Sequence, residues 1–497
     1  MDIKRLLVAN RGEIALRIIR ACGELGIETV AVYSDADVDA RHVRAADIAL
    51  RLGPAPAIDS YLNIPAVIDA ARSAGADAVH PGYGFLSERA AFADACVQAG
   101  LIFVGPPADA IERMGSKIGA RALMEKTGVP VVPGSTPRDQ SDEGIAAAAT
   151  AIGFPVLIKA SAGGGGKGMR AAADARTLAD AIPAARREAQ SAFGDGTLYV
   201  ERLIARPRHV EIQVFADAHG SAVHLFEREC SVQRRHQKIV EESPSPALTP
   251  SLRDRMGRAA VTAATSAGYR NAGTIEFLLD GSGDRASFYF LEMNTRLQVE
   301  HPVTEMVTGT DLVRAQLMVA SGQALPWRQE DLAQRGHAIE CRVYAEDPAA
   351  GFLPQAGPLA LYREPSGPGI RIDSGVEEGT AVPVQYDPML AKLIASADTR
   401  DAAIARAAAA LRRFPILGVR TNIPFLIKVL EHPAFRAGDL HTGFVDAHLA
   451  DLLSVDAPPD IVTSVARAAR TAPPAGTGSA ARAEDYDPWS RLNGWGR

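Results

Sequence analysis

The sequence predicts a multidomain protein of the α/β and α+β classes. Its 497 residues are 47% hydrophobic, which is enough for several cores and exceeds the usual length of one domain. Residues 5–9 are typical of a buried strand, residues 13–25 of an amphipathic helix, and residues 29–33 of a second strand. This β-α-β pattern predicts a Rossmann-like N-terminal domain. Strand patterns from residue 336 onward predict a strand-rich C-terminal domain.

The first turn of this pattern argues against a dinucleotide cofactor. It consists of Asn10-Arg11-Gly12-Glu13 and lacks the three spaced glycines that let the backbone approach a pyrophosphate. We therefore expect the scaffold without NAD.

Changes in pattern along the chain predict four domains and a tail. Residues 1–128 form the Rossmann-like domain, residues 129–205 a small mobile lid around a glycine cluster, and residues 206–330 a central domain. Residues 331–446 form the strand-rich domain. Residues 447–497 form an Ala/Pro/Gly-rich tail whose composition buries too little to fold alone.

The tail contains two of the three tryptophans of the chain, Trp489 and Trp495. Exposed tryptophan favours a docking segment. The alternative is a segment that folds back onto the body of the protein.

The bulk composition excludes several classes of partner and location. The formal net charge is −6 with 23% charged residues, so we expect neither nucleic acid nor an anionic membrane as partner. The four cysteines form no Cys-x-x-Cys pair, which argues against zinc and against a disulfide framework. We find no signal-peptide hydrophobic region and no apolar run that could span a bilayer, so we expect a cytoplasmic protein.

A lysine at the end of an apolar strand precedes a glycine cluster. Lys159 follows the apolar residues 154–158, and residues 163–169 read Gly-Gly-Gly-Gly-Lys-Gly-Met. The backbone N–H groups of such a run can close over phosphate oxygens while Lys159 supplies positive charge. We predict a phosphate-binding lid, distinct from the Walker A pattern. The alternative is a flexible glycine linker.

Two acidic residues are expected on neighbouring strands. Strand patterns at residues 274–277 and 288–294 flank a turn at residues 280–283, so Glu276 and Glu292 should share a face. Buried like charges need a cation, and Mg²⁺ takes a few carboxylate oxygens and completes its octahedron with phosphates and water. The sequence therefore predicts a magnesium site.

Strand alternation extends this polar face. If the segment stays extended, Glu292, Asn294, Arg296, Gln298 and Glu300 share one face and apolar residues take the other. Metal ligands would then be followed by a guanidinium, an amide and a carboxylate. The alternative is an amphipathic surface strand with cross-strand salt bridges.

A third polar cluster covers residues 227–238. Its hydrogen-bond donors suit a ribose and a polyphosphate, and Lys238 or Arg234 could reach a second anion. The alternative is a solvated charged loop. The same alternative applies to three histidines, which could have a purely structural role as hydrogen-bonded residues and bind no ligand: His209, His224 and His236.

Together these segments resemble the biotin carboxylase family, a branch of the ATP-grasp ligases. The resemblance covers about residues 2–446 and implies an ATP-grasp lid and central domain. It rests on five runs in order, at residues 8–15, 80–88, 163–168, 292–306 and 337–348.

The resemblance implies a nucleotide site with a metal. The residues that would hold ATP are Lys117, Lys159, Gly164, Gly165, Gly166, Lys167, Gly168, Met169, Glu201, Ile204, His209, Gln233 and His236. Glu276 and Glu292 would bind Mg²⁺ or Mn²⁺, with Asn294 as an accessory ligand.

The resemblance also implies the chemistry beside the nucleotide. Bicarbonate would lie against Lys238, Arg296, Gln298 and the backbone of Val299, and Glu300 would deprotonate it. The resulting carboxyphosphate would break to CO₂ and phosphate, and the phosphate would remove the ureido proton of biotin. The biotin site would include Arg342, which stabilises the biotin oxygen, and Tyr83. A closing lid would exclude water from these steps.

Partners follow from the same resemblance. None of the nine methionines is followed by lysine, so the Met-Lys attachment site for biotin is missing, and we expect biotin on a separate biotin carboxyl carrier protein. With a carboxyltransferase subunit, the chain would perform the first half-reaction of an acetyl-CoA or other acyl-CoA carboxylase, as in fatty acid biosynthesis. A homodimer is expected. The final acceptor stays open among acetyl-CoA, another acyl-CoA and a urea-like compound.

Two other functions share parts of this pattern. A carbamoyl-phosphate synthetase-like or carboxyaminoimidazole-forming ATP-grasp ligase has the lid and metal carboxylates but lacks a biotin site, so Arg342 discriminates against it. A nucleotide-binding subunit without turnover would not need Glu276, Glu292 and Glu300 together.

Overall fold

The computed structural model describes residues 2–161, 168–454, 460, 461, 464 and 467. The chain divides into two compact units, residues 1–453 and residues 454–497. The predicted phosphate-binding residues Gly164, Gly165, Gly166 and Lys167 lie outside the described residues, as do both tail tryptophans.

The N-terminal part of the chain alternates strands and helices around a five-stranded parallel sheet. Its elements are β1 (Arg5–Val8), α1 (Gly12–Leu25), β2 (Glu28–Ser34), α2 (Arg41–Ala45), β3 (Ile48–Gly53), α3 (Ile64–Ser73), β4 (Ala78–His80), α4 (Ala90–Gln98), β5 (Ile102–Phe103), α5 (Ala108–Gly115) and α6 (Lys117–Thr127). The strand order β3-β2-β1-β4-β5 is that of a doubly wound sheet, which confirms the Rossmann-like prediction.

A second, four-stranded antiparallel sheet follows, in the order β6-β9-β7-β8. Its elements are β6 (Gly134–Ser135), α7 (Asp142–Ile152), β7 (Val156–Ala160), β8 (Arg170–Ala172), α8 (Ala175–Phe193) and β9 (Leu198–Arg202). Helix α8 begins with a capping box in which Asp174 and Thr177 satisfy each other's backbone N–H groups. Apolar residues of α7, α8 and these strands form a separate core cluster.

The remaining chain builds an eight-stranded sheet in the order β14-β13-β10-β11-β12-β15-β22-β20. The first half of this part of the chain contains β10 (Arg208–Ala216), β11 (Ala222–Arg234), β12 (Gln237–Ser243), α9 (Pro250–Ser266), β13 (Asn271–Asp280), β14 (Ser287–Asn294), α10 (His301–Thr308) and α11 (Leu312–Ala320). The second half of this part of the chain contains β15 (His337–Tyr344), β16 (Glu346–Asp347), β17 (Leu353–Pro354), β18 (Gly357–Pro358), β19 (Leu361–Tyr362), β20 (Ile370–Ser374), β21 (Ala381–Val382), β22 (Met389–Ala397), α12 (Arg400–Arg412), β23 (Ile416–Leu417), α13 (Ile423–Glu431), α14 (Pro433–Arg436) and α15 (Phe444–Leu452). Six of these strands lie outside the large sheet, in the two-stranded pairs β16-β17, β18-β21 and β19-β23.

Strands β12 and β15 join the two halves by direct antiparallel pairing, with Glu241 opposite Glu340. Among the described residues, no helix is both long enough and apolar enough to cross a membrane.

Two local predictions are wrong. The polar stripe does not stay extended, because β14 ends at Asn294 and the chain then turns before α10. The alternative of a solvated loop at residues 227–238 also fails. Residues 227–234 lie in β11, and Glu227, Arg228 and Glu229 are almost fully buried.

Gly375 lies where the end of β20 meets the start of α1. A Cβ atom at Gly375 would be 2.7 Å from the backbone nitrogen of Glu13 and 2.9 Å from Cα of Gly12. We expect Gly375→Ala to lower stability by about 1–3 kcal/mol, because the two backbones must move apart. The midpoint of thermal unfolding measures this. Gly23→Ala is the control, since a Cβ there meets nothing within 4 Å in the last turn of α1, and it should be neutral or stabilising. Equal midpoints for the two variants would contradict the close approach.

Candidate active site

Three glutamates and one arginine form a row across four neighbouring strands. Arg228 of β11 lies opposite Glu211 of β10, Glu211 opposite Glu276 of β13, and Glu276 opposite Glu292 of β14. The predicted pairing of Glu276 with Glu292 is therefore confirmed. Directly opposed like charges destabilise a sheet unless cations neutralise them.

Glu276 is the most heavily contacted carboxylate of this row. Its Oε1 accepts hydrogen bonds from Asn294 Nδ2 at 2.7 Å and Lys238 Nζ at 2.8 Å. Its Oε2 lies 3.0 Å from Nε2 of His209, a residue of β10. Burial would raise the pKa of Glu276, but Lys238 and His209 hold it well below its usual range. The carboxylate is therefore ionised.

Glu292 lies at the end of the row and is less well compensated. Burial and then the charge of Glu276 raise its pKa, and Lys117, at the start of α6, opposes them only in part. A divalent cation beside Glu276 and Glu292 would relieve this repulsion, and two carboxylates with the amide oxygen of Asn294 are ligands that Mg²⁺ prefers. The residues present thus fit a magnesium ion.

Lys238 connects the row to a third carboxylate. Its Nζ donates to Glu211 at 2.6 Å, to Glu276 at 2.8 Å and to Glu300 at 2.7 Å. Burial opposes the positive charge, but the three glutamates hold the pKa of Lys238 well above its usual range. The ammonium is fixed at the centre of the site by all three of its hydrogens.

Glu300 is fully buried between two cations. Its Oε1 faces Lys238, and its Oε2 accepts from Arg342 Nη2 at 2.9 Å. Burial would raise the pKa of Glu300, but Lys238 and Arg342 hold it well below its usual range. Glu300 precedes α10 without capping it with its side chain, so the carboxylate remains directed to the site.

The turn after β14 gathers the other residues of the predicted stripe. Arg296 donates to Asn294 Oδ1 at 3.2 Å and to Gln298 Oε1 at 3.1 Å, and Gln298 Nε2 lies 3.4 Å from Glu276 Oε1. The carbonyl of Val299 accepts a hydrogen bond from Lys392. These polar groups lie close together, which confirms their predicted proximity. The predicted reason, an extended strand with one polar face, is wrong, because the strand ends at Asn294 and a turn brings the groups together.

The predicted nucleotide residues of the lid lie together in its sheet. Lys159 Nζ of β7 is 2.8 Å from Glu201 Oε2 of β9, and Arg121 Nη1 is 3.0 Å from Glu201 Oε1. Ile204 follows β9 and is buried, and Gly168 and Met169 precede β8.

Gln233 and His236 flank the hairpin between β11 and β12. Gln233 is buried and opposes Lys238 in the register of the two strands, whereas His236 is exposed at the turn with φ of 67°. The structure thus brings Gln233 next to Lys238 and leaves His236 at the surface.

Tyr83 lies at the switch point of the N-terminal sheet, where β1 and β4 are neighbours and the chain continues from them to opposite sides of the sheet. Asn10 Nδ2 donates to the carbonyls of Pro81 and Tyr83, both at 2.8 Å, and the Tyr83 hydroxyl donates to Glu13. Ligands of doubly wound sheets bind at this position. Arg342 is close enough to lower the pKa of Tyr83, although burial raises that pKa well above its usual value.

Sequence reasoning missed several charged residues of the site. Glu211 continues a polar alternation with His209 and Gln213 in an otherwise apolar strand, and that signal could have revealed it. Glu88 accepts from Arg296 Nε at 2.9 Å, and Glu241 accepts from Arg342 Nε at 2.6 Å. No local pattern marks these last two contacts.

Comparison with protein families divides the chain into three matched segments. Residues 2–111 match the biotin carboxylase N-terminal domain, residues 116–328 the carbamoyl-phosphate synthase L chain ATP binding domain, and residues 340–447 the biotin carboxylase C-terminal domain. The match to the ATP-binding domain alone is also compatible with a carbamoyl-phosphate synthetase-like ligase. The two flanking matches to biotin carboxylase domains exclude that alternative.

Several biotin carboxylases are similar over most of their length. The chain is 52% identical to biotin carboxylase of Halalkalibacterium halodurans over 90% of this chain and 98% of that protein. It is 53% identical to a pyruvate carboxylase subunit of Methanothermobacter thermautotrophicus, over 89% and 90% of the two chains. It is also 51% identical to the mitochondrial methylcrotonoyl-CoA carboxylase alpha subunit of Mus musculus, covering 91% of this chain and 63% of that one.

Solved structures agree with these matches. The biotin carboxylase domain dimer of Hydrogenobacter thermophilus 2-oxoglutarate carboxylase, in complex with MgADP, ADP and bicarbonate, has a TM-score of 0.87 at 45% identity, over 92% of this chain and 100% of that one. Biotin carboxylase of Campylobacter jejuni has a TM-score of 0.86 at 45% identity, over 90% and 99% of the two chains. The chain therefore belongs to the biotin carboxylase family and is an ATP- and Mg²⁺-dependent ligase that carboxylates biotin.

Proposed function

We propose that the chain uses bicarbonate to carboxylate biotin through carboxyphosphate, as the first half-reaction of an acyl-CoA carboxylase. The observation that carries this proposal is the buried Glu300 held between Lys238 and Arg342, next to the Glu276–Glu292 pair. A base, an anion site and a metal site then occupy one pocket.

On the nucleotide side, the lid and central sheet supply the contacts. The residues proposed to hold ATP are Lys117, Lys159, Gly164, Gly165, Gly166, Lys167, Gly168, Met169, Glu201, Ile204, His209, Gln233 and His236. Lys117 and Lys159 neutralise phosphate charge, which phosphoryl transfer requires. Glu276, Glu292 and Asn294 would hold Mg²⁺, which neutralises charge on the phosphates.

Bicarbonate binds against Lys238, Arg296, Gln298 and the backbone of Val299 in this proposal. Glu300 removes the bicarbonate proton, and the freed oxygen attacks the γ-phosphate of ATP to give carboxyphosphate and ADP. The low pKa of Glu300 keeps it ionised, which is the form that a base requires. Lid residues exclude water, which would otherwise hydrolyse the intermediate.

The biotin step takes place beside Arg342 and Tyr83. Carboxyphosphate breaks to CO₂ and phosphate, the phosphate takes the ureido N–H proton, and that nitrogen attacks CO₂. Arg342 stabilises the negative charge that develops on the ureido oxygen, because its guanidinium can donate to an oxyanion in a site without water. The position of Tyr83 at the sheet switch point supports this assignment.

The acceptor and the assembly complete the proposal. In this proposal biotin is carried on a biotin carboxyl carrier protein, and a carboxyltransferase passes the carboxyl group to acetyl-CoA or another acyl-CoA. Relatives named for methylcrotonoyl-CoA and for pyruvate show that the family serves several acceptors. We further propose a cytoplasmic homodimer. Capture of the co-purifying carrier and transferase would identify the acceptor.

We also propose the domain division expected from sequence. Its boundaries are 1–128, 129–205, 206–330, 331–446 and 447–497. Helix α15 crosses the last boundary.

Free biotin should increase bicarbonate-dependent ADP release by the wild-type chain. Glu300→Gln should lower this turnover by about 10²–10⁴-fold, because the base is lost, while ATP binding measured by calorimetry stays within about twofold. Glu300→Asp, which keeps a carboxylate, should retain more activity. An absence of biotin stimulation in the wild type would contradict biotin carboxylation, and a fully active Glu300→Gln would remove Glu300 from the base role.

Glu292→Gln should raise the Mg²⁺ concentration for half-maximal activity by about tenfold or more, because one carboxylate ligand is lost. The measurement is a magnesium titration of ADP release at saturating substrates. Asp280→Asn, at the exposed end of the same hairpin, is the matched control and should leave the titration unchanged. Superimposable curves for Glu292→Gln and wild type would argue against a magnesium site here.

Lys238→Met should make activity more sensitive to acid. Without the ammonium, burial is opposed only by the remaining cations, chiefly Arg342, so the pKa of Glu300 rises and the base becomes protonated at a higher pH than in the wild type. The ratio of variant to wild-type kcat/KM for bicarbonate should therefore fall as the pH is lowered from about 9 to about 6, and this ratio cancels the titration of bicarbonate itself. A ratio independent of pH would show that Lys238 does not set the ionisation of Glu300.

A further inference from the structure

Lys392 is a fully buried ammonium between the proposed bicarbonate and biotin sites. It belongs to β22 and lies opposite Arg342 of β15. Its Nζ donates to the carbonyl oxygen of Val299 at 2.8 Å and lies 3.1 Å from Glu13 Oε1 and 3.8 Å from Asp373 Oδ2. One cation thus contacts the turn before Glu300 and the start of α1.

Glu13 extends these contacts to the biotin side. It is the second residue of α1, is almost fully buried, and accepts a hydrogen bond from the Tyr83 hydroxyl with the same Oε1 that faces Lys392. Burial raises the pKa of Glu13, and Lys392 opposes that effect. Burial also raises the pKa of Tyr83 well above its usual value, so the hydroxyl keeps its proton and donates it. A continuous path runs from the Val299 carbonyl through Lys392 and Glu13 to Tyr83.

The energetic cost of this arrangement argues that it has a role beyond stability. Burying an ammonium costs several kcal/mol before its partners compensate, and an apolar side chain of similar volume often fills such a position equally well. Lys392 holds the Val299 carbonyl directly and the Tyr83 hydroxyl through Glu13. These two groups come from distant segments of the sequence, and each belongs to a different proposed substrate site.

We propose that Lys392 is a positioning residue that holds the Val299 backbone for bicarbonate and, through Glu13, the Tyr83 hydroxyl for biotin. This inference rests on the proposed function, because Val299 and Tyr83 are assigned to substrates there. None of the contacts of Lys392 joins it to a proposed nucleotide residue that the structure describes, so its loss should affect two substrates and spare the third.

A double-mutant cycle tests the path. Lys392→Met should raise the KM for bicarbonate by about tenfold and the KM for biotin several-fold, with the KM for ATP within about twofold, since a hydrogen bond to a charged group is lost at each site. Tyr83→Phe, which removes only the hydroxyl, should raise the KM for biotin and leave that for bicarbonate unchanged. In the Tyr83→Phe background, Lys392→Met should add little to the KM for biotin, because both substitutions interrupt one path.

Asp373→Asn is the matched control. It removes a carboxylate that lies 3.8 Å from Lys392 and pairs mainly with Arg371 at 2.7 Å, and it leaves Val299 and Tyr83 untouched. Its three KM values should stay within about twofold of wild type. A merely structural role for Lys392 would instead raise all three KM values together in Lys392→Met, or give additive effects with Tyr83→Phe, and either result would overturn the proposal.

Folding of the variants does not limit the test. If Lys392→Met does not fold, Lys392→Gln, whose amide carries no charge, takes its place under the same criteria. If neither folds, Tyr83→Phe decides: an unchanged KM for biotin overturns the proposal, and a raised one supports the path at its biotin end. A wild-type chain without biotin-stimulated turnover would instead refute the proposed function itself.

Discussion

Three carboxylates in cross-strand register are the constraint on which the rest of the site depends. Glu211, Glu276 and Glu292 lie side by side in a buried part of the sheet, where their repulsion is strong because little water screens it. Arg228 neutralises the inner end of the row, and Lys238 bridges Glu211 and Glu276. The outer end at Glu292 keeps a deficit of positive charge, which is where we propose the metal. Because Lys238 also holds Glu300, the arrangement that stabilises the row fixes the proposed base as well.

Much of this arrangement could be predicted from local sequence pattern. Alternation within two short strands was enough to pair Glu276 with Glu292, since a hairpin fixes register over a short distance. The same alternation failed after Asn294, where the chain turns. Gln298 nevertheless reaches Glu276, because the turn bends the backbone toward the proposed metal ligands. Local pattern therefore identified the residues of this segment but gave the wrong conformation.

Other parts of the site could not be predicted because they depend on partners distant in sequence. The charged residues 227–229 suit a solvated loop until their partners are known, and Arg253 pairs with Glu227 while Arg208 pairs with Glu229. Glu241 and Lys392 enter the site only through the pairing of β12 with β15 and of β15 with β22. A sequence does not reveal which distant strands are neighbours, so these buried charges carry no local signal.

The continuous eight-stranded sheet has a consequence for cooperativity. Since β12 and β15 share backbone hydrogen bonds, separating the central from the C-terminal part would expose two unpaired strand edges in the middle of the molecule. These parts should melt as one thermodynamic unit. The lid has its own sheet and its own apolar core, so it can open or unfold at a lower free energy while the row of carboxylates keeps its register.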